Sequence, residues 1–225
     1  LQSLSISLEN SLVCQKIKVI LFHNGRENNK LNTIGDYLNL TFHELFSPNN
    51  LYPGEARNKC IQFSDGEYIL FLDDDISIPL NYFNHALDKI CNHPLDVYGG
   101  PDTFKENESS FEKIFSQALK SPLTFGHTVL RHNPKKSSID NQSKLQKGHE
   151  GNLILCHLWF KRSLFTDDGW SFDQRLFRNE ENLLLWRLGK SNAKIYYDAE
   201  LFVHHQRKHN VKAIFQTYFK SGFYR

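Results

Sequence analysis

Asp73-Asp74-Asp75 ends the apolar run Tyr68-Ile69-Leu70-Phe71-Leu72, and no other stretch of the chain concentrates so much charge at one point. Five apolar or aromatic residues between Gly66 and Pro79 suit a strand buried on both faces of a helix-covered sheet. The C-terminal ends of such strands are where open α/β sheets bind ligands. Carboxylates a few ångströms apart repel by an energy on the order of 4 kcal/mol at an effective dielectric of about 20, and they raise one another's pKa unless a cation intervenes. Oxygen donors point to a hard ion, Mg2+ or Mn2+, which keeps positions open for substrate phosphates. A solvated acidic turn is the plain alternative.

A second acidic pair, Glu180-Glu181, precedes Leu183-Leu184-Leu185-Trp186-Arg187-Leu188. Acids at a helix start are stabilised by the positive end of its dipole, and a carboxylate on so rigid a support can also act as a general base. Capping and catalysis are both open on the residues alone. His204-His205-Gln206-Arg207-Lys208-His209 follows an apolar strand pattern, and clustered imidazoles can ligate a metal, bind phosphate, or stay on the surface. Adjacent strand residues face opposite ways, so at most one of His204 and His205 joins a given ion. Arg57 and Asn58, just after Gly54, can bind a phosphate or a base edge at a helix start, or simply face solvent.

The elements that have to position these residues alternate. Residues 1–12 read as the end of an amphipathic helix; Ile17–Phe22 is a strand stopped by His23-Asn24-Gly25; Thr33–Leu38 is a short helix; Leu40–Phe46 is a strand. Pro53 opens a helix, strand 68–72 follows, Pro79 opens a helix to about Cys91, and Asp96–Pro101 is a short strand with a turn. Polar residues 131–149 form a loop or lid, Gly151–Phe160 returns to the core, and Trp159-Phe160-Lys161-Arg162 is core with a basic rim. Glu180–Leu188 is a helix, Lys194–Val203 a strand, and Val211–Phe223 a basic, aromatic amphipathic segment. Repeated strand–helix alternation implies a mainly parallel, twisted sheet flanked by helices, a Rossmann-like α/β architecture in one domain.

The 225 residues, 40% hydrophobic, suffice for a sizeable core, and a net charge of +2 gives no reason to expect a nucleic-acid partner. Cys14, Cys60, Cys91 and Cys156 show no CxxC spacing, which suits a reducing cytoplasm. No apolar stretch reaches the roughly 18 residues of a membrane span. The chain starts at Leu1 and has no Met, where about four or five are usual at this length; it reads as part of a longer chain.

In order, Gly54-Glu55-Ala56-Arg57-Asn58, Phe71-Leu72-Asp73-Asp74-Asp75 with Pro79, Gly99-Gly100-Pro101, Asn179-Glu180-Glu181-Asn182 with Arg187-Leu188, and His204-His205 resemble the inverting family-2 glycosyltransferases of the GT-A fold, over nearly the whole chain. The resemblance implies one GT-A domain, with a nucleotide-sugar half at 1–102 and an acceptor half at 103–225. It implies transfer of a sugar from a nucleotide-diphosphate-sugar to a hydroxyl on a glycan, such as a surface polysaccharide, or a lipid-linked acceptor, with Mn2+ or Mg2+ as cofactor. Asp75, Asp73 and His204 would serve the metal. Asp73, Asp74, Arg57, His23, Asn24 and Gly100 would line the nucleotide-sugar, and Glu181, paired with Glu180, would be the base. A cytoplasmic enzyme is implied, peripheral to the inner face of a membrane if the C-terminal segment docks there. Three departures stand out. The family's first strand, ending in a Thr-Tyr-Asn-like turn, should precede Leu1; His23 stands where an aspartate commonly reads the base; and Glu181 replaces the usual Asp, reaching one methylene further. These departures motivate a second reading, a catalytically impaired nucleotide-sugar-binding module; a third is a metal-dependent nucleotidyltransferase, which also places acids at strand ends around Mg2+.

Overall fold

In the computed structural model, β8 (His157–Lys161) shows most directly how the sequence divides the core. Its side chains alternate, so that Leu158 and Phe160 join one apolar cluster and Trp159 the other, as the two-residue period of a strand requires. The neighbouring strand β5 (Val97–Gly99) does the same with Val97 and Tyr98. On the first face lies α5 (Glu180–Lys190), whose Leu184, Leu185 and Leu188 form its buried stripe. On the second lie α1 (Gln2–Glu9) and α3 (Tyr82–Asn92), contributing Leu4, Leu8, Tyr82, Phe83 and Ala86. The structure describes residues 2–9, 11, 17–26, 40–103, 114, 117–121, 123, 126–132, 145–205, 212, 215, 216 and 219. The expected helix at 33–38 lies outside them, as do residues 133–144 of the expected lid and most of the C-terminal segment.

The remaining elements are β1 (Ile17–Asn24), β2 (Leu40–Ser47), α2 (Pro53–Gln62), β3 (Tyr68–Leu72), β4 (Ile76–Ser77), β6 (Asp102–Thr103), a 3-10 turn at Gly126–Arg131, β7 (Leu145–Lys147), α4 (Ser163–Thr166), β9 (Ile195–Asp198) and β10 (Val203–His205). They make three sheets: β1-β2, β3-β8-β5-β9-β7 and β4-β10-β6. The expected α/β layering is present, but the pairing is mixed. β1–β2, β5–β9 and β10–β6 are parallel, whereas β3–β8, β5–β8, β7–β9 and β10–β4 are antiparallel. A parallel neighbour needs a crossover connection, usually a helix. β8 comes from the stretch after β7 and runs opposite to both of its neighbours, β3 and β5.

Three local expectations change. Strand β3 was expected to be buried on both faces, yet each of its five residues is only half-buried; β8 covers one edge, and among the described residues no strand pairs with the other. The helix expected to open at Pro79 begins at Tyr82, whose N–H bonds to the Pro79 carbonyl. The single strand expected over 194–203 is two, β9 and β10, in different sheets. Their separation comes from a turn in which Leu201 N bonds to the Asp198 carbonyl and Glu200 N to the Asp198 carboxylate.

That turn explains Gly100. A Cβ there would stand 1.9 Å from the Leu201 carbonyl oxygen and 2.3 Å from that of Asp198, so the residue lets two backbone segments touch. Gly100→Ala is expected to cost about 3 kcal/mol, the upper end of ordinary overpacking, because the obstruction is backbone and cannot rotate away. Urea denaturation checks this, and a loss below about 1 kcal/mol would show that the turn yields.

A fully buried polar chain crosses the second face. Trp159 Nε1 donates to Tyr82 Oη (3.1 Å), the Tyr82 hydroxyl to His157 Nδ1 (3.3 Å), and His157 Nε2 to the Pro101 carbonyl (3.1 Å). Burial pushes His157 down to about 4 from 6.5, so it is neutral when folded and gains a proton more readily when unfolded. Stability attributable to it is therefore intact above pH 6.5 and declines as pH falls towards 4, by about 3 kcal/mol for such a shift. Urea titrations at pH 7, 5.5 and 4 should show that decline, reduced in His157→Gln; the same slope in both proteins would refute it.

Candidate active site

The small sheet β4-β10-β6 assembles the first acidic cluster. Strand β10 lies between the other two, with His205 opposite Ile76 and Val203 opposite Asp102. This places His205 between the turn that carries Asp73–Asp75 and the start of β6. Its Nε2 is 3.0 Å from Asp75 Oδ1 and its Nδ1 2.8 Å from Asp102 Oδ2. Burial alone would lower the His205 pKa, but its hydrogen bonds to the Asp102 and Asp75 carboxylates outweigh it and push the ring up to about 9. Asp73 is raised, first by burial and also by Asp75, with Arg57 opposing. Asp73, Asp75 and His205 present ligand atoms that all lie within 4.8 Å of one another. Two hard carboxylates and one imidazole form a donor set that Mn2+ or Mg2+ accepts.

His205 therefore takes the place expected of His204. Strand alternation turns His204 to the opposite side, where its Nδ1 lies 3.0 Å from Thr103 Oγ1 and its ring meets Phe202 edge-on. Asp74 is exposed and outside the set.

The second acidic pair, Glu180 and Glu181, sits on the first turn of α5. Asn179 takes the left-handed conformation (φ 63°) immediately before the helix, and its side chain accepts a bond from Asn182 Nδ2 at 3.2 Å. Glu180 is buried and its Oε1 receives Arg57 Nη1. Burial, then the neighbouring Glu180 charge, raises the Glu181 carboxyl, while Arg131 and Arg57 pull it the other way. Arg57 thus acts on acids of both groups, Asp73 and Glu180. Its place on α2 is fixed where Gly54 meets the Asp173 carbonyl, since a Cβ there would be 2.6 Å away. Asn58 adds a two-bond clamp, donating to the Phe172 carbonyl (2.8 Å) and accepting from Phe172 N (3.0 Å). That clamp uses the Asn58 side chain, which the sequence reading had offered to a phosphate or base.

The family model described as Glycosyl transferase family 2 matches residues 8–166, more than half of the 225-residue chain. The chain belongs to glycosyl transferase family 2. No curated protein sequence matches it. Among solved structures, S. aureus TarS 1-349 in complex with UDP-GlcNAc is similar at TM-score 0.59 and 16% identity, over 91% of this chain and 54% of that one. The mannosyltransferase PcManGT from Pyrobaculum calidifontis, in complex with GDP-Man and Mn2+, is similar at TM-score 0.53 and 10% identity, over 91% of this chain and 61% of that one. The family-2 chain has the GT-A fold, and it spans about half the length of the TarS 1-349 structure.

Other residues that resemblance placed on the nucleotide-sugar in this family-2 chain have internal partners. His23 Nε2 bonds to Glu44 Oε2 (3.0 Å) and its ring stacks on Phe46 at 4.5 Å. Asn24 ties down the connection between β2 and α2 through both the N–H and the carbonyl of Leu51. Gly100 is occupied by the turn at 198–201 on the side where a Cβ would point. Sequence reasoning missed Asp102, His132 and Arg131. Asp102 directly follows the Gly99-Gly100-Pro101 motif, a position that signals nothing by itself. Arg131 donates to the Glu150 carbonyl and to Asn182 Oδ1, and no local pattern distinguishes it from a surface base. Of the expected lid, Leu145–Lys147 is instead an edge strand paired with β9.

Proposed function

We propose that this chain is a metal-dependent, inverting glycosyltransferase that moves a sugar from a nucleoside-diphosphate sugar to a hydroxyl on a glycan or lipid-linked acceptor. The observation that carries this reading is the pairing of two acidic groups of different character around Arg57. Asp73 and Asp75 stand with His205, while Glu181 stands beside a Glu180 held by Arg57. Known partners of similar structures agree: TarS is described with UDP-GlcNAc and with UDP, and PcManGT with GDP-Man and Mn2+.

Asp73, Asp75 and His205 would hold the divalent ion, which when bound neutralises charge on the leaving diphosphate. Asp73, on which the Arg57 charge acts, would face the nucleotide end. Glu181, ionised, accepts the proton of the acceptor hydroxyl as that oxygen bonds to the anomeric carbon. The bond from this carbon to the diphosphate oxygen breaks, the diphosphate leaves with the electron pair, and one displacement inverts the centre. Arg57 holds Glu180 in place beside Glu181, and burial together with the Glu180 charge raises the Glu181 carboxyl, favouring its readiness to take a proton. Donor residues fall in 1–102 and the base in 103–225, with His205 crossing over to complete the donor set.

A cytoplasmic setting is supported by Cys60, Cys91 and Cys156, which stand outside any disulfide among the described residues. No helix among the described residues is long and apolar enough to cross a membrane. The exposed, stacked Phe215 and Phe219 suit peripheral contact with an anionic surface. Thermal-shift titration with UDP, GDP and their sugars tests donor binding. With Mn2+ present, one of them at about 100 times its Kd should stabilise the chain by roughly 2.7 kcal/mol, and no metal-dependent shift with any of them would refute the reading.

A further inference from the structure

Behind Asp73, Asp75 and His205 lies a second layer that takes no part in the proton transfer. Asp102 opens β6, is fully buried, and commits each carboxylate oxygen to a different imidazole. Its Oδ2 accepts from His205 Nδ1 (2.8 Å) and its Oδ1 from His132 Nδ1 (2.5 Å). A buried carboxylate is costly without partners, and here the partners come from two separate elements: His205 from β10, and His132 from just after the 3-10 turn at Gly126–Arg131. Held from both sides, the carboxylate cannot rotate without breaking one bond.

The consequence falls on His205. An imidazole on a strand can present either nitrogen by turning its ring, and only the partner of one nitrogen decides which way the other points. With Nδ1 fixed on Asp102, Nε2 is the nitrogen directed at Asp75, 3.0 Å away. Asp102, Cys156 and His205 also bring donor atoms within 4.8 Å of one another. The direct Asp102–His205 bond occupies that space, so these three form a supporting layer and not a second ion site.

We propose that Asp102, clamped by His132, is a positioning residue that fixes the ring orientation and tautomer in which His205 can join Asp73 and Asp75 on a divalent cation. The inference rests on the metal reading of that site. A carboxylate that orients a ligating histidine is commonly worth about 10- to 100-fold in metal affinity.

Mn2+ binding to the full chain, by calorimetry and by Mn2+ EPR, with and without UDP, tests it in wild type, Asp102→Asn, His132→Gln and Asp73→Ala. Asp102→Asn is expected to weaken Mn2+ about 10- to 100-fold, and His132→Gln to weaken it in the same direction by less. With Mg2+ bound, long-range proton–nitrogen NMR should show His205 protonated at Nδ1 in wild type and a mixture of tautomers in Asp102→Asn, a change that simple loss of packing does not produce. If Asp102→Asn fails to fold, His132→Gln carries the test alone, because it removes the clamp on the Asp102 carboxylate and lets it turn away from His205: weaker Mn2+ binding at unchanged Tm supports the role, and unchanged binding overturns it. Wild-type affinity in both variants, where Asp73→Ala has lost it, overturns the positioning role and leaves the metal reading standing. A wild-type chain that binds no Mn2+ under either condition overturns both.

Discussion

Replacing Glu181 by Gln is expected to reduce turnover by about 10²- to 10⁴-fold, the usual worth of a general base, while donor affinity stays within about twofold. The side chain keeps its size and a carbonyl oxygen, so the packing of the α5 start is preserved; what disappears is the capacity to take a proton. Burial and the Glu180 charge raise the Glu181 carboxyl, which fixes the sign of the pH dependence. Activity needs the ionised form, so in the wild type kcat falls on the acid side at a pH above the ordinary carboxylate range. In Glu181→Gln that limb should vanish from the residual rate. A variant that turns over normally removes Glu181 from the chemistry, and a preserved acid limb assigns it to another group.

Asp75→Ala should weaken metal-dependent donor binding by at least about 100-fold, since even outer-shell partners of a metal are worth 10- to 100-fold. Asp75 is half exposed, and His205 keeps its bond to Asp102 without it. The fold should therefore survive, and the loss should appear in calorimetric titration of the nucleotide with Mn2+ and not in Tm. Binding equal to wild type would place the ion, or the diphosphate, elsewhere.

Local chemistry in the sequence marked both of these residues. An apolar run stopping at three acids, and an acidic pair opening a leucine-rich helix, can be read without coordinates, as can Pro53 at a helix start and the alternation of β8. Choices that depend on pairing could not. Whether His204 or His205 faces the acids depends on the register of β10 between β4 and β6, two-residue strands too short to signal themselves. The antiparallel insertion of β8 depends on a long connection whose direction no local period encodes. Gly100 looked like part of a ligand-binding motif, but its smallness serves a turn about a hundred residues later in the chain. Asp102 and His132 matter only because folding brings together residues 30 positions apart.

The reading as a whole turns on what is released from the donor. A panel of nucleoside-diphosphate sugars is incubated with the chain, with water or a sugar alcohol as surrogate acceptor, in Mn2+ and in excess chelator, and the nucleotide products are resolved by chromatography. The account predicts free nucleoside diphosphate, formed only with the metal, and released far more slowly by Glu181→Gln and Asp75→Ala. Release of nucleoside monophosphate or pyrophosphate, or an equal rate of diphosphate release in chelator, would contradict it.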